Sequence, residues 1–239
     1  ILIINLMENK ITLFYNYYNQ VDMLKKQVNL WNSYPNDILD KINILLIDDG
    51  SSKPAKNILH ELDISKLPLS LYRINPDIYC NIGGTRNLAC KLSDTEWILI
   101  VDMDIIISTL NLNIILKLPR NPKYIFKFNR IRPDNTFKIH PGVCFISTNT
   151  YWHVGGCDED FVGNYGQTDV HFFYRANLKN INISLIEDIV LEEDSDGTTK
   201  EINRTKEMLE PNKILFENKK RNGNWSTNYC RFNWIKEEI

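Results

Sequence analysis

The 239 residues carry 28 Lys and Arg against 30 Asp and Glu, a net charge of −2, too even a balance for the electrostatic footprint of a nucleic-acid binder. Hydrophobic residues make up 43% and charged residues 24%, the proportions of a globular chain able to bury a sizeable core. Five cysteines (Cys80, Cys90, Cys144, Cys157 and Cys230) are odd in number and show no CxxC spacing, which argues against a disulfide framework or a zinc site and for a reducing, cytoplasmic compartment.

No apolar run reaches the roughly 18 residues of a membrane span, and residues 1–6 are too short for the apolar region of a signal peptide. Met7 could open a natural chain, or the sequence could be a piece of a longer one. Residues 11–15 read as a strand. Val21, Leu24, Val28 and Trp31 recur at helical spacing until Pro35 interrupts them, and residues 42–47 form a second apolar strand ending at Asp48-Asp49-Gly50-Ser51-Ser52. A short helix over 56–62, a strand over 69–74, a helix over 85–92 introduced by Gly83-Gly84, and a strand over 97–101 complete the first half. Such alternation predicts parallel βαβ units, with functional loops at the carboxyl ends of the strands.

After about residue 108 the rhythm changes to short strands over 124–130 and 142–146, with a helix over 168–178, so this half should be mixed. The Lys219-Lys220-Arg221 cluster reads as a solvated face. A charged helix beyond Arg204 leads into a tail holding Trp225, Tyr229, Phe232 and Trp234, aromatic enough to pack on the body or cover a site. With no linker and no internal repeat, residues 1–239 read as one domain.

Asp102 and Asp104 stand one residue apart at the end of the apolar run 97–101. An ionised carboxylate away from water is costly unless a cation or hydrogen bonds compensate, so this pair should sit at a strand's end, facing a metal or polar ligand. Residues i and i+2 of a strand point the same way. Asp102 and Asp104 can therefore converge on one hard divalent ion that also holds phosphate oxygens, while Met103 turns into the core. A turn that merely begins with acids would give the same pattern, because Asp is common where strands end.

Four segments occur in a telling order: Asp48-Asp49-Gly50-Ser51-Ser52, Asn81-Ile-Gly83-Gly84-Thr-Arg86-Asn87, Asp102-Met-Asp104, and Gly155-Gly156-Cys-Asp158-Glu159-Asp160 followed by Thr168-Asp169. As an ordered set over about residues 11–195 they resemble the GT-A fold glycosyltransferases, especially the family-2-like inverting enzymes that carry a DXD motif. The resemblance implies an α/β fold, with a Rossmann-like nucleotide-binding half (about 11–108), a mixed sheet continuing into an acceptor half (about 109–203), and a C-terminal helix and tail (204–239). It implies transfer of a sugar from a nucleotide-sugar donor, UDP-linked, to a hydroxyl of a glycan or related acceptor, with Mn²⁺ or Mg²⁺ as cofactor.

By that resemblance Asp104 binds the metal, Asp102 touches ribose or a metal-bound water, and Asp48 or Asp49 grips the nucleoside, although a strand-to-helix turn would also use these acids. Gly83 and Gly84 would let backbone approach the ligand, and Arg86 would pair with the diphosphate or hold an active-site carboxylate, where an ordinary helix start is the plainer account. Asp169 matches the general base, although Thr168-Asp169 also resembles an N-cap with an acid in the first helical turn. Asp158, Glu159 and Asp160 are rivals on the acceptor side, and Trp152 could stack on a sugar or fill the core. A third metal ligand is expected near residues 190–197, which offer Glu192, Glu193, Asp194 and Asp196 in place of the family's usual His; His140 and His171 are alternatives. The competing functions are a sugar-nucleotide pyrophosphorylase, whose Gly-rich basic loop is missing near Tyr15-Asn-Tyr-Tyr-Asn19, and a catalytically idle module that binds glycan or a partner.

Overall fold

The computed structural model describes residues 10–194 and 205–239; Asp196 lies outside them. Strand β1 (Ile11–Tyr17) is followed by helices α1 (Val21–Asn32) and α2 (Asn36–Leu39), strand β2 (Ile42–Asp48), helix α3 (Ala55–Leu59), strand β3 (Leu69–Asn75), helix α4 (Ile82–Leu92) and strand β4 (Trp97–Asp102). These four strands lie parallel in the order β3-β2-β1-β4. Leu13 and Tyr15 enter one core with Trp31 and Leu99, and Phe14 enters the other with Ile47, Leu88 and Ile100. Parallel sheets are covered on both faces, which is why these strands are almost continuously apolar.

The second half adds β5 (Ile105–Ile106), α5 (Thr109–Leu116), β6 (Tyr124–Ile131), β7 (Phe137–Ile139), β8 (Cys144–Ser147), α6 (Thr148–Val154), a 3₁₀ turn at Glu159–Phe161, α7 (Thr168–Leu178) and β9 (Asn182–Glu193). It extends the same sheet as β4-β8-β6-β9-β5, mostly antiparallel, with β6 and β9 running parallel and β7 on the side of β6. The mixed α/β architecture agrees with the expectation. Helix α8 (Lys206–Asn222) and strand β10 (Asn233–Glu237) close the chain, β10 pairing antiparallel with β3. The aromatic tail therefore packs on the body, with Lys91 lying over the Trp234 ring. Among the described residues no helix is long and apolar enough to cross a membrane.

Three expected boundaries move for local reasons. Helix α4 starts at Ile82, which puts Gly83 and Gly84 inside it. Helix α3 ends at Leu59, shorter than the 56–62 expected. Strand β8 starts only at Cys144 because the N–H groups of Gly142 and Val143 turn aside to donate to His140 Nδ1, at 3.1 and 2.9 Å. Strand β9 was not expected: its run of Glu187, Asp188, Glu192 and Glu193 masks the alternation. Its register against β6 also jumps, from Phe128 opposite Ile186 to Asn129 opposite Val190.

Candidate active site

The carboxyl ends of the parallel strands open onto a cleft of about 200 Å³ whose walls include Asn16, Arg86, Asp102, Asp104, Arg130, Arg132, His140, Tyr165, Asp169 and Glu193. Asp102 is the last residue of β4, and Asp104 follows in the turn before β5. Met103 is buried between them. The pair thus reaches one cleft through a turn rather than along a continuing strand. Burial first, and then the charges of Asp102 and Glu193, raise the Asp104 carboxyl to about 7. Glu193 is brought there because Ile105 pairs with it across β5 and β9.

Arg86 projects from α4 with its side chain buried and touches Asp169 Oδ1 through Nη1, while its Nη2 lies 3.4 Å from Asp102 Oδ1. One guanidinium therefore ties the first turn of α7 to the end of β4. Thr168 is not the N-cap: Gln167, in the left-handed region, occupies that position without a side-chain cap bond, while Asp169 stands as the acid of the first helical turn. His140 Nε2 stands 3.6 Å from the other oxygen of Asp102. Because its Nδ1 accepts two backbone N–H groups, Nε2 must carry the ring proton. Burial, with Arg130 and Lys127 nearby, depresses this imidazole to about 2. Lys127 lies beneath, its ammonium donating to the Pro141 carbonyl at 2.7 Å, and burial lowers it to about 8.

The nucleoside-side residues divide. Asp48 accepts from Ser51 N at 2.8 Å, Ala55 N at 2.9 Å and Arg73 Nη1 at 2.7 Å. Both its oxygens are engaged in holding the turn and the start of α3, which is the structural alternative for this residue. Asp49, equally buried, accepts among the described residues only from the backbone and side-chain nitrogens of Asn81, both at 3.2 Å; burial raises it to about 7. Gly83 and Gly84 admit protein, not ligand. A Cβ on Gly83 would lie 3.2 Å from Thr168 Cγ2, and one on Gly84 would meet Asn81 Oδ1 and come within 2.6 Å of Phe232.

Other candidates sit elsewhere. Glu159 accepts from Asn87 Nδ2, Cys230 N and Arg231 N at 2.7, 2.6 and 3.0 Å. Asp158 accepts from Ser226 N at 3.1 Å and pairs with Lys219 at 2.9 Å, and Asp160 pairs with Lys219 and Arg231. This acidic triplet seats the tail, so it is a poor rival to Asp169. Trp152 packs against Tyr151 and Tyr229. His171 is buried among Phe161, Phe216 and Trp225 and does not line the cleft. Asp194 turns away to Lys26.

Sequence reasoning missed Arg130, Arg132 and the placement of Glu193. Glu193 contacts Arg130 and lies 3.2 Å from Arg132 Nε. A signal existed: Arg130 and Arg132 are spaced i and i+2 at the end of a predicted strand, the same pattern that drew attention to Asp102 and Asp104. Among the described residues no three His, Cys, Asp or Glu side chains form a preformed metal cage.

A Rossmann-like sheet that continues into a mixed half, with a carboxylate-lined cleft at its switch point, is the architecture of the GT-A fold. The chain belongs to glycosyl transferase family 2, whose profile matches residues 14–186. This sets aside the pyrophosphorylase reading. No curated protein matches the sequence. Among solved structures, TarS 1-349 of S. aureus shares 15% identity and a TM-score of 0.62 over 80% of this chain and 62% of that one. The mannosyltransferase PcManGT of Pyrobaculum calidifontis, in complex with GDP-Man and Mn²⁺, shares 15% identity and a TM-score of 0.62, over 77% of this chain and 56% of that one. GalNAc-T7 with UDP, GalNAc and Mn²⁺ shares 11% identity and a TM-score of 0.61, over 77% and 44%. The chain thus spans less than two thirds of each of these structures, and the likeness is one of fold.

Proposed function

We propose that this chain is a metal-dependent, inverting glycosyltransferase that moves a sugar from a nucleotide donor, UDP-linked, to a hydroxyl of a glycan or related acceptor. The observation that carries the reading is Arg86, one buried guanidinium joining Asp169 to Asp102 beside Asp104 in a cleft at the carboxyl edge of the sheet.

Asp102 and Asp104 fit a hard divalent cation. Both line the cleft, and Mg²⁺ or Mn²⁺ needs only one or two carboxylates when waters and phosphate oxygens complete its shell. The Mn²⁺ complexes of PcManGT and GalNAc-T7 support the same choice. When bound, the cation would neutralise charge on the departing diphosphate. Asp104, with Asp102, would hold it, and His140 Nε2 faces Asp102 at 3.6 Å. Arg130 and Arg132 supply positive charge on the diphosphate side. Asp49 accepts from the base or ribose, and Asp48 keeps the turn that presents it.

Asp169 is the general base. Arg86 aims it, and one carboxylate oxygen removes the acceptor hydroxyl's proton as the acceptor oxygen bonds to the anomeric carbon and the bond from that carbon to the nucleoside diphosphate breaks. A single displacement inverts the configuration. All five cysteines are unpaired, which supports a reducing, cytoplasmic setting.

The test is incubation with a panel of UDP- and GDP-sugars and hydroxyl acceptors, with Mn²⁺ or excess EDTA, followed by NMR of the product's anomeric configuration. Metal-dependent transfer with inversion is expected. Retention would overturn the single displacement, undiminished transfer in EDTA would overturn the metal requirement, and no turnover of any donor would favour the idle binding module.

A further inference from the structure

The loop 161–167 carries Tyr165 into the cleft and launches α7 with Asp169 as its second residue. Gly163, Gly166 and Gln167 have φ of 89°, 88° and 66°. A segment with three left-handed residues in five cannot close a regular ladder on itself, so its carbonyls need outside donors. They find one. Asn212 Nδ2 donates to the carbonyls of Phe161, Asn164 and Gly166 at 3.0, 3.0 and 2.9 Å. Tyr165 N donates to Met208 O at 3.2 Å, and Leu209 Cδ2 would lie 3.3 Å from a Cβ on Gly166. Asn212 is buried in the body of α8 just after Pro211, a poor place for Asn by helix propensity alone. Its burial there is explained by what it holds.

We infer that Asn212 is a positioning residue for glycosyl transfer: from α8, it fixes the acceptor-side wall of the cleft and thereby the aim of Asp169. Residues 206–222 lie beyond the region matched by the family profile, 14–186, so this chain supplies part of its catalytic geometry from a segment outside that region. The inference deepens the proposed function and rests on it for its kinetic consequence.

The test compares the 239-residue chain with Asn212→Ala and Asn212→Asp, the second of which keeps size but cannot donate. Below the melting transition both variants should lose transfer kcat by at least tenfold with a higher acceptor KM, while UDP affinity stays within twofold. Asn212→Gln, which retains the donor group, should recover part of the loss. A purely structural role would lower the melting midpoint and leave kcat and acceptor KM within twofold, which would overturn the inference. If the wild-type chain transfers no sugar, the proposed function fails, and the clamp is then judged by amide hydrogen exchange. Exchange across 161–167 should accelerate at least tenfold in Asn212→Ala while the β2 peptide is unchanged; equal exchange in variant and wild type would overturn the clamp whatever the activity.

Discussion

Two acidic regions of this molecule look alike in sequence and behave differently in space. Asp158, Glu159 and Asp160 meet donors: backbone N–H groups of the tail, Asn87, Lys219 and Arg231. Asp102 meets Arg86 and His140 at 3.4 and 3.6 Å, and Asp104 is raised by burial first and then by the charges of Asp102 and Glu193. A carboxylate surrounded by donors stabilises a structure, because each bond answers a group that would otherwise be buried unsatisfied. Carboxylates crowded against one another destabilise it until a cation or substrate arrives, which is the ordinary signature of a site.

The largest expected effect separates the base from both sets. Asn keeps the size of Asp and cannot take a proton at neutral pH, so Asp169→Asn should cut transfer by the roughly 10²–10⁴-fold typical of a lost general base. Donor affinity should barely move, and the melting midpoint should fall modestly, since buried Arg86 loses one ionised partner but keeps Asp102. Near wild-type transfer would return the role to the 158–160 triplet and erase the distinction drawn above.

Asp104→Asn tests the crowded set. Replacing this buried carboxylate by an amide should leave the fold intact or firmer, yet raise the Mn²⁺ concentration needed for half-maximal activity by at least roughly 10–100-fold, the loss already typical of removing an outer partner of a metal ligand. Isothermal titration with Mn²⁺ checks it, and unchanged affinity would remove Asp104 from the metal site. Asp158→Ala tests the satisfied set and should behave in the opposite way. It leaves Ser226 N without its carboxylate while Lys219 keeps Asp160, so a stability loss on the order of 2 kcal/mol is expected, less than for a fully orphaned buried ion. Thermal unfolding should show it, with transfer per folded molecule changed by less than tenfold.

The difference between the two regions also explains what the sequence could and could not disclose. The parallel half was legible because its strands are buried on both faces and bounded by helices with clear periodicity, as at Val21 to Trp31 and at 42–47. The pair Asp102 and Asp104 was legible because carboxylates at the end of an apolar strand need a reason. The roles of Asp158, Glu159 and Asp160 were not, because their partners lie some 60 to 70 positions away in the tail and leave no local pattern. Glu193 was obscured in the same way: only the pairing of β5 with β9 carries it to Asp104. Gly83 and Gly84 were noticed for the right property, room at the backbone, but what fills that room is Thr168 and Phe232.

Asp49 stands between the two regions and carries the smallest expected effect. It is as buried as Asp158, but its only hydrogen-bond partner among the described residues is Asn81, and burial raises its carboxyl to about 7 from an ordinary 3.8. A raised carboxyl favours the protonated form in the folded state. Its contribution to stability is therefore full below about pH 4 and is lost as pH rises through about 7. Asp49→Asn is neutral throughout, so the melting midpoint of the variant should fall less than that of the wild type between pH 5 and pH 8. Nucleotide binding should run the other way. If the charged carboxylate accepts from the base or ribose, wild-type UDP affinity should weaken as pH drops below about 7, by no more than about tenfold per pH unit for one proton, and the Asn variant should bind more weakly at pH 8 with little pH dependence. Titrations at pH 5.5, 7 and 8 would decide: a wild-type affinity that does not change with pH, beside a variant of equal affinity, would assign Asp49 with Asp48 to the turn and leave Asp102, Asp104 and Asp169 as the acids that face a ligand.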